Sequence, residues 1–398
     1  MDPRLGVCLL NDSFPPPAID GVANAVANYA RIIHDDYGSA VVAVPNYPGS
    51  EDHNHPFPIV RYPSVKAPKI TGYRMGLPIP GIIREIRRNP VDIIHCHCPF
   101  ASSIVARALR QSTKAPLIMT YHTKFDIDIA SYFDSPLFLS AAKRFIVSNH
   151  TVCDELWVVS RGAGENLRSL GYEGDYIVME NGIDFPKGMA SYERIDEVSR
   201  KYDLHPDVPV FLFVGRMMWY KNLRLTISGL FKAKAQGAKF KMMFVGDGAD
   251  SREIAEHVKD LSMQDDCILT GPIRDREELR AIYSRADMFI FPSTYDTAAL
   301  VVREASACGL ASILVRGSDP AEPVTDGING ILIDEDPESL SRVILSLIDN
   351  KSYMKTLGKR AMDDLFFSWD SSVSIAYERY QVVLEEYKSK KGKKKRTK

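Results

Sequence analysis

The sequence predicts an α/β protein built from two doubly wound parallel-sheet domains. Three observations lead there. A chain of 398 residues exceeds one ordinary core, short apolar runs alternate with helix-periodic segments throughout, and the alternation restarts after a polar stretch at 191–209. Repeated strand–helix units require a parallel sheet covered on both faces.

In order, the first domain has strands at 4–10, 40–44, 91–95, 117–120 and 156–159. Its helices are read at 21–33, where Val22, Val26, Tyr29 and Ile33 keep helical spacing, and at 82–88, 102–109 and 137–148. The second domain has strands at 210–214, 240–245, 267–269, 288–291 and 312–315, with helices at 221–234, 254–261, 277–283, 300–308 and 337–347. The expected division is 1–190 for the first domain and 191–370 for the second. A final helix at 371–387 packs back on the first, and a basic disordered tail occupies 388–398.

Composition narrows the class. Hydrophobic residues at 45% with 25% charged residues describe a globular protein, and no apolar run reaches the ~18–20 residues of a bilayer span. The start lacks a basic segment followed by a long apolar one, so no secretory signal is read. Six scattered cysteines, several inside apolar stretches, suit reduced thiols in the cytoplasm. The net charge of −1 hides an asymmetry: from Lys388 onward there are eight basic residues and no acid, leaving −9 on the rest. Residues 61–88 add seven basic residues against one acid, Glu85, interleaved with apolar ones. Both segments suit an anionic membrane surface; the alternative is a solvated face and a tail of no consequence.

In open α/β sheets ligands sit beyond the carboxyl ends of the strands, and four such loops stand out. The first ends in Asp20-Gly21, where a glycine opens a helix and lets an anion approach backbone N–H groups; a plain turn is the alternative. The second places Arg216 and Lys221 around a strand-to-helix turn, suited to two phosphates, or simply to two solvated cations. The third runs from Pro292-Ser293 through Asp296 into a helix carrying Glu304. Backbone N–H groups of Ala298, Ala299, Leu300 and Val301 form its positive end, and the two carboxylates suit neutral hydroxyls. The bland alternative makes Asp296 a cap and Glu304 a surface residue. The fourth contains His95-Cys96-His97-Cys98, with His122 nearby. Strand alternation points the histidines one way and the cysteines the other, so no tetrahedral metal set converges. His97 and His122, near strand ends, suit bonding to a ligand hydroxyl, the alternative being satisfied core histidines, which is the preferred reading for His95.

The order of motifs resembles glycosyltransferase family 4. The matching pieces are Phe14-Pro15-Pro16 with Asp20-Gly21-Val22; Asp92-Ile93-Ile94-His95-Cys96-His97; Thr120-Tyr121-His122-Thr123; Asn181-Gly182-Ile183-Asp184; Phe213-Val214-Gly215-Arg216 with Lys221-Asn222; Phe244-Val245-Gly246-Asp247-Gly248; Pro292-Ser293 with Glu304-Ala305; and Asp326-Gly327-Ile328-Asn329-Gly330. The resemblance implies the GT-B fold, two Rossmann-like domains facing across a cleft, and retaining transfer of a hexose from a nucleotide-sugar such as UDP-glucose. Gly21, Arg216 and Lys221 then hold the diphosphate, Glu304 the ribose, and Asp296 the transferred sugar, with His122 or His97 near its hydroxymethyl end. No metal or other cofactor is implied, because the cations and the helix end neutralise the leaving group. Nucleic acid is not an expected partner.

Asp296-Thr297-Ala298-Ala299 stands where the family usually has Glu-Gly-Phe-Gly. Together with Tyr121-His122-Thr123-Lys124-Phe125 and the basic segment, it is similar to the diacylglycerol glucosyltransferase branch, whose acceptor is a lipid on the inner face of the plasma membrane. Other readings are a soluble carbohydrate acceptor, a catalytically impaired nucleotide-sugar binder, and a phosphorylase-like enzyme, for which no pyridoxal-binding lysine is apparent.

Overall fold

The computed structural model describes residues 4–16, 20–67, 73–125, 129 and 135–396. It divides into two compact units, Met1–Asn181 with Trp369–Lys398, and Gly182–Ser368.

Unit 1 is built on seven strands: β1 Gly6–Leu10, β2 Ser39–Pro45, β3 Ile59–Tyr62, β6 Ile93–Cys96, β7 Leu117–Tyr121, β8 Glu155–Val158 and β9 Ile177–Val178. Their order is β3-β2-β1-β6-β7-β8-β9, all parallel. Runs such as GVCLL are buried along their whole length because helices cover both faces. A small hairpin, β4 Ser64–Lys66 with β5 Arg74–Gly76, stands apart from this sheet. The helices are α1 Gly21–Ile32, α2 Pro80–Ile86, α3 Ala101–Thr113, α4 Pro136–Thr151 and α5 Arg161–Ser169. Asp20 starts α1 by accepting from Ala23 N at 2.7 Å, and Ser160 caps α5 in the same way.

Unit 2 has six parallel strands in the order β12-β11-β10-β13-β14-β15. They are β10 Val210–Val214, β11 Lys241–Val245, β12 Cys267–Gly271, β13 Met288–Ile290, β14 Ser312–Val315 and β15 Gly330–Ile333. Its helices are α6 Tyr192–Lys201, α7 Leu223–Ala235, α8 Ser251–Asp260, α9 Arg276–Arg285, α10 Leu300–Ala307, α11 Pro337–Leu347 and α12 Lys351–Leu365. Strand order reverses between β1 and β6 in unit 1 and between β10 and β13 in unit 2. All four loops singled out in the sequence lie at these two switch points or beside them.

Three boundaries differ from the sequence expectation. The division falls at Asn181/Gly182 rather than at 190, and the chain returns to unit 1 at Trp369. The polar stretch at 191–209 contains α6, which packs on α9 and has Val198 as its single fully buried residue. The segment 388–398 is not a disordered tail over its described length, because α13, Trp369–Arg396, runs through it without a break. Lysine is a good helix former, and Lys391 donates to the Lys114 carbonyl at 2.7 Å, tying this part of α13 to α3. Further back, Tyr377 donates to Tyr37 O at 3.3 Å and accepts from Leu5 N at 2.8 Å, and Arg379 forms a paired contact with Glu155. Among the described residues no helix is long and apolar enough to cross a membrane.

Candidate active site

In unit 2, β10 and β13 each deliver a loop to the switch point. Lys221 is buried, and its ammonium is held by both oxygens of Asp296, a residue of the other loop. Asn222 follows in the left-handed region (φ 58°), and its amide donates to the Pro292 carbonyl at 3.0 Å and to Glu335 at 2.6 Å. The two loops are thereby tied at two neighbouring points. Arg216 is exposed and has no ion pair among the described residues; its guanidinium lies 5.8 Å from the Tyr220 ring. Tyr220 and Tyr295 lie 4.8 Å apart, one from each loop.

The Arg216 loop rests on the Gly246-Asp247-Gly248 turn after β11. Gly215 N donates to Val245 O at 3.0 Å, Met217 N to Asp247 O at 3.1 Å, and Trp219 N to the Asp250 carboxylate at 2.8 Å. A Cβ on Gly246 would lie 2.0 Å from the Gly215 carbonyl, and one on Gly248 2.4 Å from that of Met217. These glycines let one backbone seat on the other. The sequence shows the motif but not this seating.

Beyond Asp296, α10 begins at Leu300 with Ala299 as its N-cap in the left-handed region (φ 32°), and no side chain caps it. The N–H groups from Ala298 to Val301 thus lie at an uncapped positive helix end with no acid in its first turn. Glu304, inside α10, is buried. It accepts from Arg276 at 2.8 Å and from Tyr283 OH at 3.2 Å, two partners that sequence reasoning missed. Burial raises its pKa above the usual carboxylate value, against the pull of Arg276.

Unit 1 assembles a different chemistry. His95 is satisfied at both nitrogens, by Tyr380 at 2.6 Å and Thr120 at 2.7 Å. His97 shares a proton with His122, Nδ1 to Nε2 at 2.9 Å, while its own Nε2 is buried without a partner. Desolvation keeps all three neutral, lowering His122 to about 3 and His95 and His97 well below the ordinary value. The two cysteines turn away from the histidines: Cys96 donates to the Cys98 carbonyl, and Cys98 to Asp12 at 3.3 Å. Among the described residues no group of three His, Cys, Asp or Glu side chains is arranged for a metal.

Asp12, at the end of β1, escaped the sequence reading. It accepts from Ser102 N at 2.7 Å and Ala101 N at 3.1 Å, so this buried carboxylate sits on the start of α3. Gly21 is exposed at the start of α1, with no atom within 4 Å of a Cβ built on it. Nothing in the described protein therefore requires a glycine there by close approach.

The basic segment 61–88 is partly consumed by structure. Arg61 pairs with Asp52 and Arg74 donates to Ser64, while Ile82 and Ile86 are buried. Val65, Met75, Leu77 and Ile79 are exposed. The regular structure among the described residues of this segment is the end of β3, the β4–β5 pair and α2.

Residues 194–364 match the model of glycosyl transferases group 1, and residues 19–186 match that of glycosyltransferase family 4. The chain is 27% identical to a GDP-mannose-dependent alpha-mannosyltransferase of Corynebacterium glutamicum, over 82% of this chain and 76% of that protein. It is 24% identical to the alpha-monoglucosyldiacylglycerol synthase of Acholeplasma laidlawii, over 87% and 89%. Among solved structures, Anabaena HepE in complex with UDP and glucose has a similar fold, with a TM-score of 0.73 at 15% identity, covering 95% of this chain and 100% of that one.

Proposed function

The chain belongs to glycosyltransferase family 4 and has the GT-B fold, and on that premise we propose that it is a retaining hexosyltransferase taking its sugar from a nucleotide diphosphate donor such as UDP-glucose. The observation that carries this reading is the anion site of unit 2: exposed Arg216, buried Lys221 and the uncapped end of α10, on two loops tied at one switch point. A diphosphate there takes paired donors from Arg216, a point charge from Lys221 and backbone N–H groups from Ala298–Val301.

As the glycosidic bond ionises, the negative charge growing on the leaving diphosphate is absorbed by donors already in place. The acceptor hydroxyl attacks the same face, and a leaving-group oxygen takes its proton. Asp296 acts as the counter-ion of Lys221, holding it buried and charged before the donor arrives. The neutral His97–His122 pair offers hydrogen bonds to hydroxyl groups rather than a charge. Glu304, fixed by Arg276 and Tyr283, presents a polar group at the base of the donor site to the ribose.

For the acceptor, diacylglycerol or another glycolipid is favoured by the exposed Val65, Met75, Leu77 and Ile79 among basic residues, with the Lys-rich end of α13 adding attraction to an anionic surface. One observation favours a second reading. Asp296 is already engaged by Lys221, which suits a nucleotide-sugar binder of impaired activity. Calorimetric titration with UDP- and GDP-sugars, followed by product analysis with diacylglycerol and with soluble acceptors, separates the two. Transfer with an α-anomeric product, surviving EDTA, is expected. Tight donor binding with neither transfer nor donor hydrolysis leaves the binder, and a requirement for added manganese overturns the metal-free reading.

A further inference from the structure

We infer that unit 1 carries a second anion site, away from the switch points, that takes the phosphate ester of a small ligand or lipid headgroup. It lies between α3 and α13. A cavity of about 300 Å³ is lined by Arg107, Arg110, Gln111, Lys114, Val152 and Tyr387. That volume is at the lower end of the range for small-molecule sites, which suits a phosphate with a short polyol attached.

The lining follows from helical spacing. Residues 107, 110, 111 and 114 recur at the three- and four-residue intervals that put side chains on one face of a helix, so α3 presents one polar stripe with three cations and no acid. Opposite it, α13 supplies Tyr387, and Lys391 lies 4.3 Å from the Tyr387 ring while donating to the carbonyl of Lys114. Val152, just after α4, adds the apolar part of the lining.

A structural reading covers part of this charge. Arg107 donates to Asn149 at 3.2 Å, and Arg110 to the Val152 carbonyl at 2.6 Å and to Asp154 at 2.7 Å, so both arginines fasten α3 near the carboxyl end of α4. It does not cover all of it. Four cations face one carboxylate and the ends of two helices, each worth about half a negative charge, so roughly two positive charges remain uncompensated. Lys114 is the clearest surplus. It ends α3 in the left-handed region (φ 62°), a position glycine fills without strain, and its ammonium has no partner among the described residues. A phosphate ester supplies one to two negative charges and several acceptor oxygens for the arginine, lysine, glutamine and tyrosine donors.

This inference does not rest on the donor site, and its test compares variants that leave the donor site alone. Full-length protein is titrated with glycerol phosphate, and co-sedimented at low salt with vesicles of phosphatidylglycerol or of phosphatidylcholine. The wild type is set against Arg107→Gln/Lys114→Gln and against Gln111→Glu, which adds a carboxylate at an exposed helical position and so imposes little demand on folding. Glycerol phosphate affinity is expected to fall about tenfold or more in both variants, the loss usual for a charge-assisted contact. If phosphatidylglycerol binding falls with it, the phosphate belongs to a lipid headgroup. If vesicle binding is unchanged while glycerol phosphate binding falls, the ligand is a soluble phosphate ester. Equal affinities for glycerol phosphate in all three proteins, or no binding of it by the wild type, overturn the site.

Discussion

The two units share one architecture but solve the burial of polar groups differently. At the unit 1 switch point, beside the buried Asp12 carboxylate on the start of α3, runs a set of uncharged imidazoles and hydroxyls, linked from Tyr380 through His95 to Thr120, with the His97–His122 pair next to them. At the unit 2 switch point the buried groups are ions, each paired with a more exposed partner, Lys221 with Asp296 and Glu304 with Arg276. Neutral hydrogen-bonding groups suit hydroxyls, whereas cations on tied loops suit a phosphate. The same strand–turn–helix frame thus carries two chemistries, set by whether the loop side chains titrate away their charge or pair it.

The largest effect should come from breaking a pair. Lys221→Ala leaves the Asp296 carboxylate partly buried with no counter-ion and also removes the phosphate contact proposed for this lysine. Loss of one partner of a buried pair costs about 3–5 kcal/mol, and the partial exposure of Asp296 to water puts this case at about 2–4. Urea denaturation should show the loss of stability, and kcat/KM should fall by at least 10- to 100-fold, as removal of one charge-assisted contact costs about 1.5–3 kcal/mol. The double variant Lys221→Ala/Asp296→Ala should regain much of the stability and none of the activity. If stability and activity return together, the pair is structural and the lysine is not a phosphate ligand.

The second effect follows from the histidines of unit 1. His95, His97, His122 and His150 are all buried with lowered pKa values, about 3 for His122 and about 4 for His150. The unfolded chain takes up protons below about pH 6.5 while the folded chain does not, so this stability is complete above pH 6.5 and is lost as pH falls toward the folded values. Each such histidine removes about 2 kcal/mol by pH 5. Asp12, whose pKa burial raises, acts in the opposite sense: its contribution is complete below the ordinary carboxylate value and is lost as pH rises through the folded one. Unit 2 has His205 and His257 at or near the surface, and buried Glu304, whose raised pKa gives the opposite sign: its contribution is complete below the ordinary carboxylate value and lost as pH rises through the folded one. Hydrogen exchange, corrected for its intrinsic pH dependence, should therefore show unit 1 losing protection before unit 2 between pH 7 and 5. Equal loss in both units would mean that the histidine layer is hydrated.

Much of this contrast is legible in the sequence, and the illegible parts share a cause. Strands such as VFLFV are fully buried runs, so length and apolar character identify them. The split between the histidine and cysteine side chains at 95–98 follows from strand alternation alone. By contrast, α6 lies in the stretch that reads only as polar, because its one buried residue leaves almost no apolar pattern. Pairs across loops were hidden for a different reason. Lys221 and Asp296 are 75 positions apart, and Arg276 and Glu304 are 28 apart, so only the sheet order brings them together. Local spacing pointed to the cations at the end of β10 without indicating which of them was already paired. The basic end of α13 was misread because composition reports charge, whereas the helix persists through propensity and its contact with α3.

That last distinction gives the mildest and most discriminating change, Arg216→Ala. Arg216 differs from Lys221 in burial and pairing: it is exposed and has no ion pair among the described residues, although both cations lie beside the Tyr220 ring, at 5.8 and 5.6 Å. Removing it breaks no buried pair and opens no cavity, so stability should change by no more than about 0.5 kcal/mol, as for other surface positions. Donor binding should nevertheless weaken by about 10- to 100-fold, because a guanidinium on phosphate supplies two parallel donors in a charge-assisted contact. Arg216→Lys keeps the charge and loses the paired geometry, so it should recover only part of that loss. Urea melts and donor titrations on the same three proteins check both halves. A variant as stable as the wild type that also binds donor as tightly would make Arg216 a solvated cation, and would leave Lys221 and the end of α10 to meet the diphosphate alone.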